Sequence, residues 1–325
     1  MSTSLSLGRR RAAAGLLAAI ALSVAAASPA WAWDKQGHMA TGAIAYDTLM
    51  GENPRVVAQI VALMAHHPDR ARFERELAGV ASGPARDRLL FEYMARWPDD
   101  VGGTPADHEP WHYQVKMVAP LGAVLPLVFG KAEEALDREA AVAADPRATA
   151  ADRAVALCWI FHIVGDMQQP LHASYWVNGR FWKSDHAGTW AYVRRTAGAA
   201  PLNLHDYWDE SVNLPMPEVA GAAALARRAE QDHPRDARTV GPAGPPRTAF
   251  AVWAAEDHAL ARDVAYNHGD FRAATKPADA PVVAPAYAAQ VRRVAQARIA
   301  LGGYRLAALL RGELEPRSAH GDRGA

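Results

Sequence analysis

The chain has 325 residues, half of them apolar, and a formal net charge of zero. This length and composition suit one large domain or two small ones, and the balanced charge excludes a broadly basic surface of the kind that binds nucleic acid through composition alone. The single cysteine, Cys158, excludes an internal disulfide. It lies in an apolar stretch, and we interpret it as a core residue and not as a nucleophile.

The first 32 residues have the pattern of a cleavable signal peptide. Three arginines at 9–11 precede an apolar stretch over 12–27, and Ala30-Trp31-Ala32 offers a cleavage site. The apolar stretch is short for a membrane span, although an uncleaved anchor and cleavage after Ala30 are the alternatives. We predict a mature chain that begins at Trp33, has a net charge of −3 (32 basic and 35 acidic residues), and is periplasmic or secreted.

Abundant alanine and apolar residues repeating every three to four positions predict an all-α protein. The predicted helices cover about 39–49, 53–67, 84–97, 131–143, 149–169, 248–268 and 285–310. Thr149 and Asp152 resemble a capping box at the start of the fifth. Pro98 is expected to end the third, which leaves Asp99 in a turn. Residues 314–325 are predicted to form a disordered tail.

Histidines occur at several helix ends and loops. We interpret His66 and His67 as C-terminal capping residues that favour the helix dipole. His108 is expected to be exposed in a loop. His112 lies between Trp111 and Tyr113, and this partial shielding from water favours a neutral ligand or a stacked site.

Residues 157–172 contain the strongest chemical signal. His162 and Asp166 are four residues apart, so they share one face of a predicted helix within an apolar run. Pro170 ends that helix, and His172 follows in the turn. The pair indicates either metal ligation or a hydrogen bond inside the core. A second pair with the same spacing, His205 and Asp209, makes metal ligation the better interpretation.

The segment after His172 is rich in aromatic residues and interleaved cations. It suits a substrate-binding wall, because aromatic rings stack on bases and cations meet phosphates. It equally suits a loop packed by its own side chains. His186 within it is a spare candidate ligand. The residues concerned are Tyr175, Trp176, Arg180, Phe181, Trp182, Lys183, Trp190, Tyr192, Arg194 and Arg195.

A free terminus at Trp33 could chelate a metal through its amino group and first carbonyl, and His38 follows closely. The candidate ligands are too many for one zinc, which takes about four, but enough for two or three ions. Imidazole and carboxylate ligands without thiolates favour zinc. The positions are Trp33, His38, Asp99, His112, His162, Asp166, His172, His205 and Asp209.

These positions lie in motifs by which the chain resembles the zinc-dependent phospholipases C and single-strand-specific nucleases, and it is most similar to the nuclease branch. The likeness spans about residues 33–311. Its motifs are Trp33 with Gly37-His38, Trp97-x-Asp99, Trp111-His112-Tyr113, His162-x-x-Gly165-Asp166-Met167-x-Gln169-Pro170-Leu171-His172, Leu204-His205-x-x-Trp208-Asp209, and Gly303-Tyr304-Arg305-Leu306-Ala307 in the closing helix.

The resemblance implies one all-helical catalytic domain over 33–313, built around a trinuclear zinc site with three Zn²⁺ per chain. It implies that one zinc is held by Asp99, His112, His162 and Asp166. The second is held by the Trp33 terminus, His38 and Asp166, and the third by His172, His205 and Asp209. Asp99 and Asp166 are then the catalytic carboxylates, Tyr113 is the aromatic ring on which a nucleobase stacks, and the metals activate a water.

Three positions depart from the nuclease pattern. An arginine expected three residues after Asp99 is Gly102, an acid expected three residues after His112 is Val115, and a Gly-Gly-Asn segment appears as Ala187-Gly188-Thr189. All three positions concern substrate handling and none is a metal ligand. The sequence does not decide whether Arg180, Lys183 or Arg194 replaces the missing arginine.

We therefore predict an exported zinc-dependent endonuclease that cleaves single-stranded DNA or RNA to 5′-phosphate products, with 3′-nucleotidase activity as a further expectation. The alternatives are a zinc phospholipase C or broad phosphomonoesterase on the same metals, and a zinc-binding protein without turnover. The expected partner is single-stranded nucleic acid or a nucleotide. We expect a monomer with no stable membrane insertion and no protein partner.

Overall fold

The computed structural model describes residues 33–119, 127–236, 240 and 245–315. The predicted signal peptide and nearly all of the predicted C-terminal tail lie outside these residues. Within the described ranges, none of the helices is both long enough and apolar enough to cross a membrane.

The prediction of an all-α protein is confirmed, since helices dominate the described part of the chain. The α-helices there are α1 Lys35–Glu52, α2 Pro54–Met64, α3 Arg70–Glu76, α4 Pro84–Asp100, α5 Ala132–Ala144, α6 Ala150–Asp166, α7 Leu204–Asp209, α8 Glu218–Asp232, α9 Pro246–Leu260 and α10 Pro285–Leu314.

Helix α6 lies at the centre of the largest hydrophobic cluster, and its last eleven residues are all buried. It packs against α4, α5 and α10, while α1 packs against α4, α8 and α10. Its predicted start is confirmed, because the Thr149 hydroxyl oxygen accepts a hydrogen bond from the Asp152 N–H at 3.0 Å. The apolar run therefore places His162 and Asp166 in the interior.

Two small sheets accompany the helices. In the first, β1 Gln114–Val118 pairs with β2 Val128–Gly130 in antiparallel fashion and with β3 Ser174–Trp176 in parallel fashion. In the second, β4 Tyr192–Val193 pairs with β5 Leu202–Asn203. The parallel pairing sets Lys116 opposite Ser174. Because the strands run in the same direction, it also brings the segments preceding them, which carry His112 and His172, side by side.

The predicted end of the third helix at Pro98 is wrong. Helix α4 continues through Pro98 to Asp100, so Asp99 lies in its last turn and not in a separate turn. A proline removes its own N–H bond to the carbonyl four residues earlier and crowds that carbonyl, but here the helix ends two residues later, so few of its hydrogen bonds are affected. The Val101 N–H still donates to the Trp97 carbonyl at 3.2 Å. Burial of Trp97 and Asp99 favours this continuation.

Two interpretations of histidines are also wrong. His67 is buried between Phe73 and Trp97, and burial lowers its pKa to about 4, so it carries no charge for a helix dipole at neutral pH. His108 is half-buried and stacks on Trp111 at 3.9 Å.

The predicted helix over 248–268 is shorter than expected. Helix α9 ends at Leu260 and continues as a π-helical turn, Ala261–Ala265. His268 then adopts a left-handed backbone with φ of 56°, a conformation that cannot continue a right-handed helix.

Candidate metal centre

Eight predicted ligand side chains come from six separate segments and are all buried. Helix ends supply most of them, which places each ligand where one turn of helix meets the next segment. His38 lies in the first turn of α1, Asp99 in the last turn of α4, and His162 and Asp166 in the last turns of α6. His205 and Asp209 lie in α7. His112 directly follows one short 3₁₀ turn, and His172 is the last residue of another.

Five of these side chains, including Asp166, form one cluster. Its carboxylate lies 3.3 Å from His38 Nε2, 3.3 Å from His162 Nε2 and 3.3 Å from His112 Nδ1. Asp99 lies on the other side, 3.1 Å from His162 Nε2. Ligand atoms about 2.1 Å from one tetrahedral zinc lie roughly 3.4 Å apart. The spacing is therefore that of side chains able to share metal ions. His38, Asp99 and His162 form one group that could hold an ion, and His112, His162 and Asp166 form a second, so His162 is common to both.

The third group lies between α7 and the turn that ends at His172. His172 Nε2 is 3.0 Å from His205 Nε2, and His205 Nε2 is 3.7 Å from the Asp209 carboxylate. Gln169 donates its side-chain N–H to Asp209 Oδ1 at 2.7 Å. The three side chains are thus within reach of one cation.

The ring nitrogens that face away from the centre are held by main-chain carbonyls. The Nδ1 atom of His162 lies 2.8 Å from the Ala95 carbonyl, and the Nδ1 atom of His205 lies 2.6 Å from the Ala187 carbonyl. The same atom of His172 lies 2.6 Å from the His112 carbonyl. A carbonyl only accepts, so each Nδ1 carries a proton and each ring turns its Nε2 atom inward. Such second contacts orient histidine ligands toward metals.

Ring nitrogens that face each other at short distance are stabilised by a cation between them. His172 and His205 meet through Nε2 atoms at 3.0 Å, where two lone pairs would repel. Both Asp166 oxygens and both His38 ring nitrogens are buried without a hydrogen-bond partner among the described residues. Buried polar groups are rarely left unsatisfied. The residues present therefore fit metal ions.

Burial also sets the protonation of the centre. It raises the pKa of Asp166 to about 7 although His162 opposes the shift. It would lower the pKa of His162, but Asp166 and Asp99 outweigh it and raise that pKa to about 9. Burial lowers the pKa of both His112 and His205 to about 4. His112 and His205 are therefore neutral at pH 7, the form that binds metals, whereas His162 releases a proton when a metal binds.

Trp33 is fully buried at the edge of the centre. Its indole N–H donates to the Gly165 carbonyl at 3.1 Å, and the next residue, Asp34, donates its main-chain N–H to the Asp209 carbonyl at 3.3 Å. The main chain of residue 33 is therefore held between segments that carry Asp166 and Asp209.

Gly165 allows α1 to approach the central helix closely. A Cβ atom at this position would lie 3.0 Å from His38 Nδ1, tighter than ordinary contacts. Packing thus explains the glycine before Asp166, because its lack of a side chain leaves room for the His38 ring. That ring stacks on His162 at 4.0 Å.

Tyr113 follows His112 directly but belongs to none of the three groups. Its half-buried ring packs over Gly130, and its hydroxyl donates to the Glu109 carboxylate at 3.3 Å. Burial, reinforced by Glu109, raises the Tyr113 pKa to about 12, so the phenol stays protonated. The ring is available as a surface beside the centre.

The departures from the nuclease pattern lie outside the three groups. Gly102 is exposed just beyond α4, and Val115 is buried in β1. Two candidates to replace the missing arginine already have other partners. The Arg180 guanidinium group donates to the Ala273 carbonyl, and the Arg194 guanidinium group donates to the Ala199 carbonyl.

The aromatic segment after His172 divides into two parts. Tyr175, Trp176 and Phe181 are buried and contribute to packing. Trp182 and Trp190 are exposed. The spare candidate ligand His186 is exposed, lies outside the three groups and stacks on Trp190.

Sequence reasoning missed the groups that support the ligands. Gln169 lies inside the central motif, so its contact with Asp209 had a signal in the sequence. The carbonyls of Ala95 and Ala187 had no signal in the sequence. Every residue type has a main-chain carbonyl, and its position beside a ligand is determined by the fold.

Comparison with known proteins identifies one family. The model of the family described as S1/P1 nuclease matches residues 33–315, whereas a search of curated proteins gives no match. The resemblance to the nuclease branch is thereby confirmed. Because the match covers most of the chain, the protein belongs to the S1/P1 nuclease family, whose members are zinc-dependent hydrolases of phosphoester bonds in nucleic acid.

Proposed function

We propose that this protein is an exported endonuclease that binds three zinc ions and hydrolyses single-stranded DNA or RNA to 5′-phosphate products. The observation that supports it most directly is the set of three buried His/Asp groups in a chain of this family. Each zinc ion takes about four ligands, so three ions need a set of ligands as large as these groups provide.

The proposed ligand assignment is the one that the family resemblance implies, and it divides the cluster around His162 between two ions. Asp99, His112, His162 and Asp166 hold one ion, the Trp33 terminus, His38 and Asp166 hold the second, and His172, His205 and Asp209 hold the third. Zinc ions bound there would supply Lewis-acid chemistry toward water and the phosphoester. The three carboxylates alone would repel a phosphate, so a polyanionic substrate requires the bound cations.

The side chains around the centre position the metal ligands and the substrate. Asp166 lies 3.3 Å from nitrogens of His38 and His112, which are ligands of different ions in this assignment, and Asp99 contacts His162 from the end of α4. Gln169 orients Asp209. Tyr113 offers a ring beside the centre on which a nucleobase of the substrate stacks, a contact that accepts any base. Release of a 5′-phosphate product means that the bond to the 3′-oxygen breaks.

Export and processing are part of the proposal. The family match begins at Trp33, the residue predicted to follow the signal peptide. Trp33 is fully buried between segments that carry ligands, which supports Trp33 over Trp31 as the mature terminus. We propose a catalytic domain over 33–313 that acts as a monomer without a protein partner.

The decisive experiment is hydrolysis of single-stranded DNA by exported, zinc-loaded protein, with a chelator-treated sample and a His162→Ala variant as controls. We expect cleavage that chelation abolishes and zinc restores, with 5′-phosphate ends on the products. Phosphate release from a 3′-nucleotide tests the 3′-nucleotidase activity. A zinc-loaded sample that leaves DNA and RNA intact but hydrolyses a phospholipid or an aryl phosphate would overturn the proposal.

A further inference from the structure

The loop Asp185–Trp190 is tied directly to the third metal group. Its Ala187 carbonyl accepts the hydrogen bond from His205 Nδ1 at 2.6 Å. The Leu204 N–H, directly before His205, donates to the Gly188 carbonyl at 3.1 Å. The loop and α7 are therefore joined through one hydrogen bond from a side chain and one between main chains. Residues on the outer side of the loop thus lie near the third metal group.

A buried carboxylate fixes the shape of this loop. Asp185 is fully buried, and its Oδ1 accepts the Trp176 N–H at 2.7 Å. The Trp190 N–H donates to the Asp185 carbonyl at 3.0 Å, which closes the loop on itself. His186 and Ala187 both adopt left-handed backbones, with φ of 53° and 54°. Non-glycine residues enter this region only where surroundings determine it, so the loop has one defined conformation.

The outer side of the loop carries an exposed aromatic stack. The His186 and Trp190 rings are stacked with centroids 3.9 Å apart and an interplanar angle of 20°. Both side chains are exposed, and Trp190 retains 47% of its accessible surface. A ring pair that faces water leaves an outer aromatic face uncovered.

We propose that the His186–Trp190 stack binds a nucleobase of the single-stranded substrate next to the third metal group. This inference rests on the proposed nuclease function and adds to it a second base-binding surface, separate from Tyr113. Trp190 is three residues from Ala187, so its Cα lies within about 11 Å of the residue that touches His205. A base stacked there belongs to a nucleotide near the phosphate that reacts.

The chemistry of the stack favours a nucleobase. Every base has a π face, so an indole ring binds it with little sequence preference. Because the loop has one defined conformation, the Trp190 ring is already positioned, and less conformational entropy is lost when a base binds. A purely structural stack would instead be covered by protein, as the rings of Trp176 and Phe181 are.

Trp182 provides a matched control. It lies on the same aromatic segment and is even more exposed, at 71%. Lys183 lies over its ring at 4.8 Å. Trp182 precedes the buried Asp185 and is outside the loop that holds His205, so removing it deletes an exposed indole without altering the proposed stack.

The test compares KM for an oligothymidylate with KM for the same oligonucleotide carrying abasic sites. The wild type, Trp190→Ala, Trp190→Phe and Trp182→Ala are measured as zinc-loaded enzymes. The ratio of the two KM values isolates base stacking, and it does not depend on the fraction of active enzyme. We expect the preference for the base-bearing strand to fall about tenfold in Trp190→Ala, to be largely retained in Trp190→Phe, and to equal that of the wild type in Trp182→Ala.

The outcomes separate this inference from the proposed function. If the zinc-loaded wild type cleaves neither oligonucleotide, the nuclease function itself fails. If it cleaves both and the KM ratio of Trp190→Ala equals that of the wild type, the stack does not bind a base. An equal loss on both substrates would also overturn the inference, since it would mean that Trp190 acts only through the loop and His205.

Discussion

Trp33 donates its indole N–H to the carbonyl oxygen of Gly165 at 3.1 Å, and so joins the predicted first residue of the mature chain to the residue before Asp166. Asp34 extends the connection by donating its main-chain N–H to the Asp209 carbonyl. A terminus held on both sides is positioned to serve as a ligand, because little freedom remains to be lost when a metal binds.

Signal removal should therefore decide how many zinc ions bind. A protein extended by two residues before Trp33 lacks the free amino group there, and we expect it to bind two zinc ions where the chain beginning at Trp33 binds three. Elemental analysis of purified protein measures the ratio. Equal zinc content in both forms would show that the amino group is not a ligand.

Substitution of Asp166 should remove more metal than substitution of His172. Asp166 lies 3.3 Å from nitrogens of His38, His112 and His162, and in the proposed assignment it is a ligand of two ions, whereas His172 is a ligand of one. We expect Asp166→Ala to lose two zinc ions and His172→Ala to lose one, with activity abolished in the first. Zinc content and DNA cleavage are measured together. His258→Ala is the control, because His258 hydrogen-bonds Ser174 and lies outside the three groups.

Much of the centre could be predicted because helix periodicity converts spacing into proximity. His162 and Asp166, four residues apart on α6, meet at 3.3 Å, and His205 and Asp209 on α7 at 3.7 Å. The start of α6 at Thr149 was equally accessible, since its capping interaction is local. These features depend on neighbours within one turn of helix.

The remainder depends on contacts between distant segments. Continuation of α4 through Pro98 places Asp99 on a helix, and burial of that helix end outweighs the local cost of proline. The parallel pairing of β1 with β3 brings His112 beside His172, yet five- and three-residue strands leave little trace in a sequence. The Ala187 carbonyl contact has no sequence signature at all.

Tyr113→Ala should impair cleavage of nucleic acid more than hydrolysis of a small phosphoester. The ring lies beside His112, and stacking contributes about 1–3 kcal/mol per base, so we expect kcat/KM on single-stranded DNA to fall about tenfold or more. An aryl phosphate without a base serves as the comparison substrate. Unchanged cleavage of single strands would show that Tyr113 is not a stacking residue.

Gln169→Leu should weaken zinc at the third group selectively. The Gln169 side chain donates to Asp209 Oδ1 at 2.7 Å, and its Oε1 atom accepts the Leu171 N–H at 2.6 Å. Loss of a residue that orients a ligand typically lowers metal affinity about 10- to 100-fold. Zinc titration should show one weakened site and two of wild-type affinity. Equal weakening at all sites would indicate a general disturbance of the fold.

His67 should make the protein less stable in mild acid. Its Nδ1 accepts the Asp69 N–H at 3.0 Å, which requires an unprotonated nitrogen. Burial lowers its pKa from 6.5 to about 4, although Asp69 opposes the shift. As pH falls, the unfolded chain binds the proton first. The contribution of His67 to stability is therefore complete above pH 6.5 and is lost between pH 6.5 and 4.

Comparison with His67→Gln isolates this effect, because glutamine can accept the same hydrogen bond and does not titrate. Between pH 8 and pH 5, the wild type should lose on the order of 2 kcal/mol more unfolding free energy than the variant. Denaturant unfolding of the zinc-loaded proteins at each pH measures the difference. The lost packing against Phe73 and Trp97 shifts the variant by a constant amount at every pH. A constant offset with no pH dependence would therefore mean that His67 is not held neutral in the folded protein.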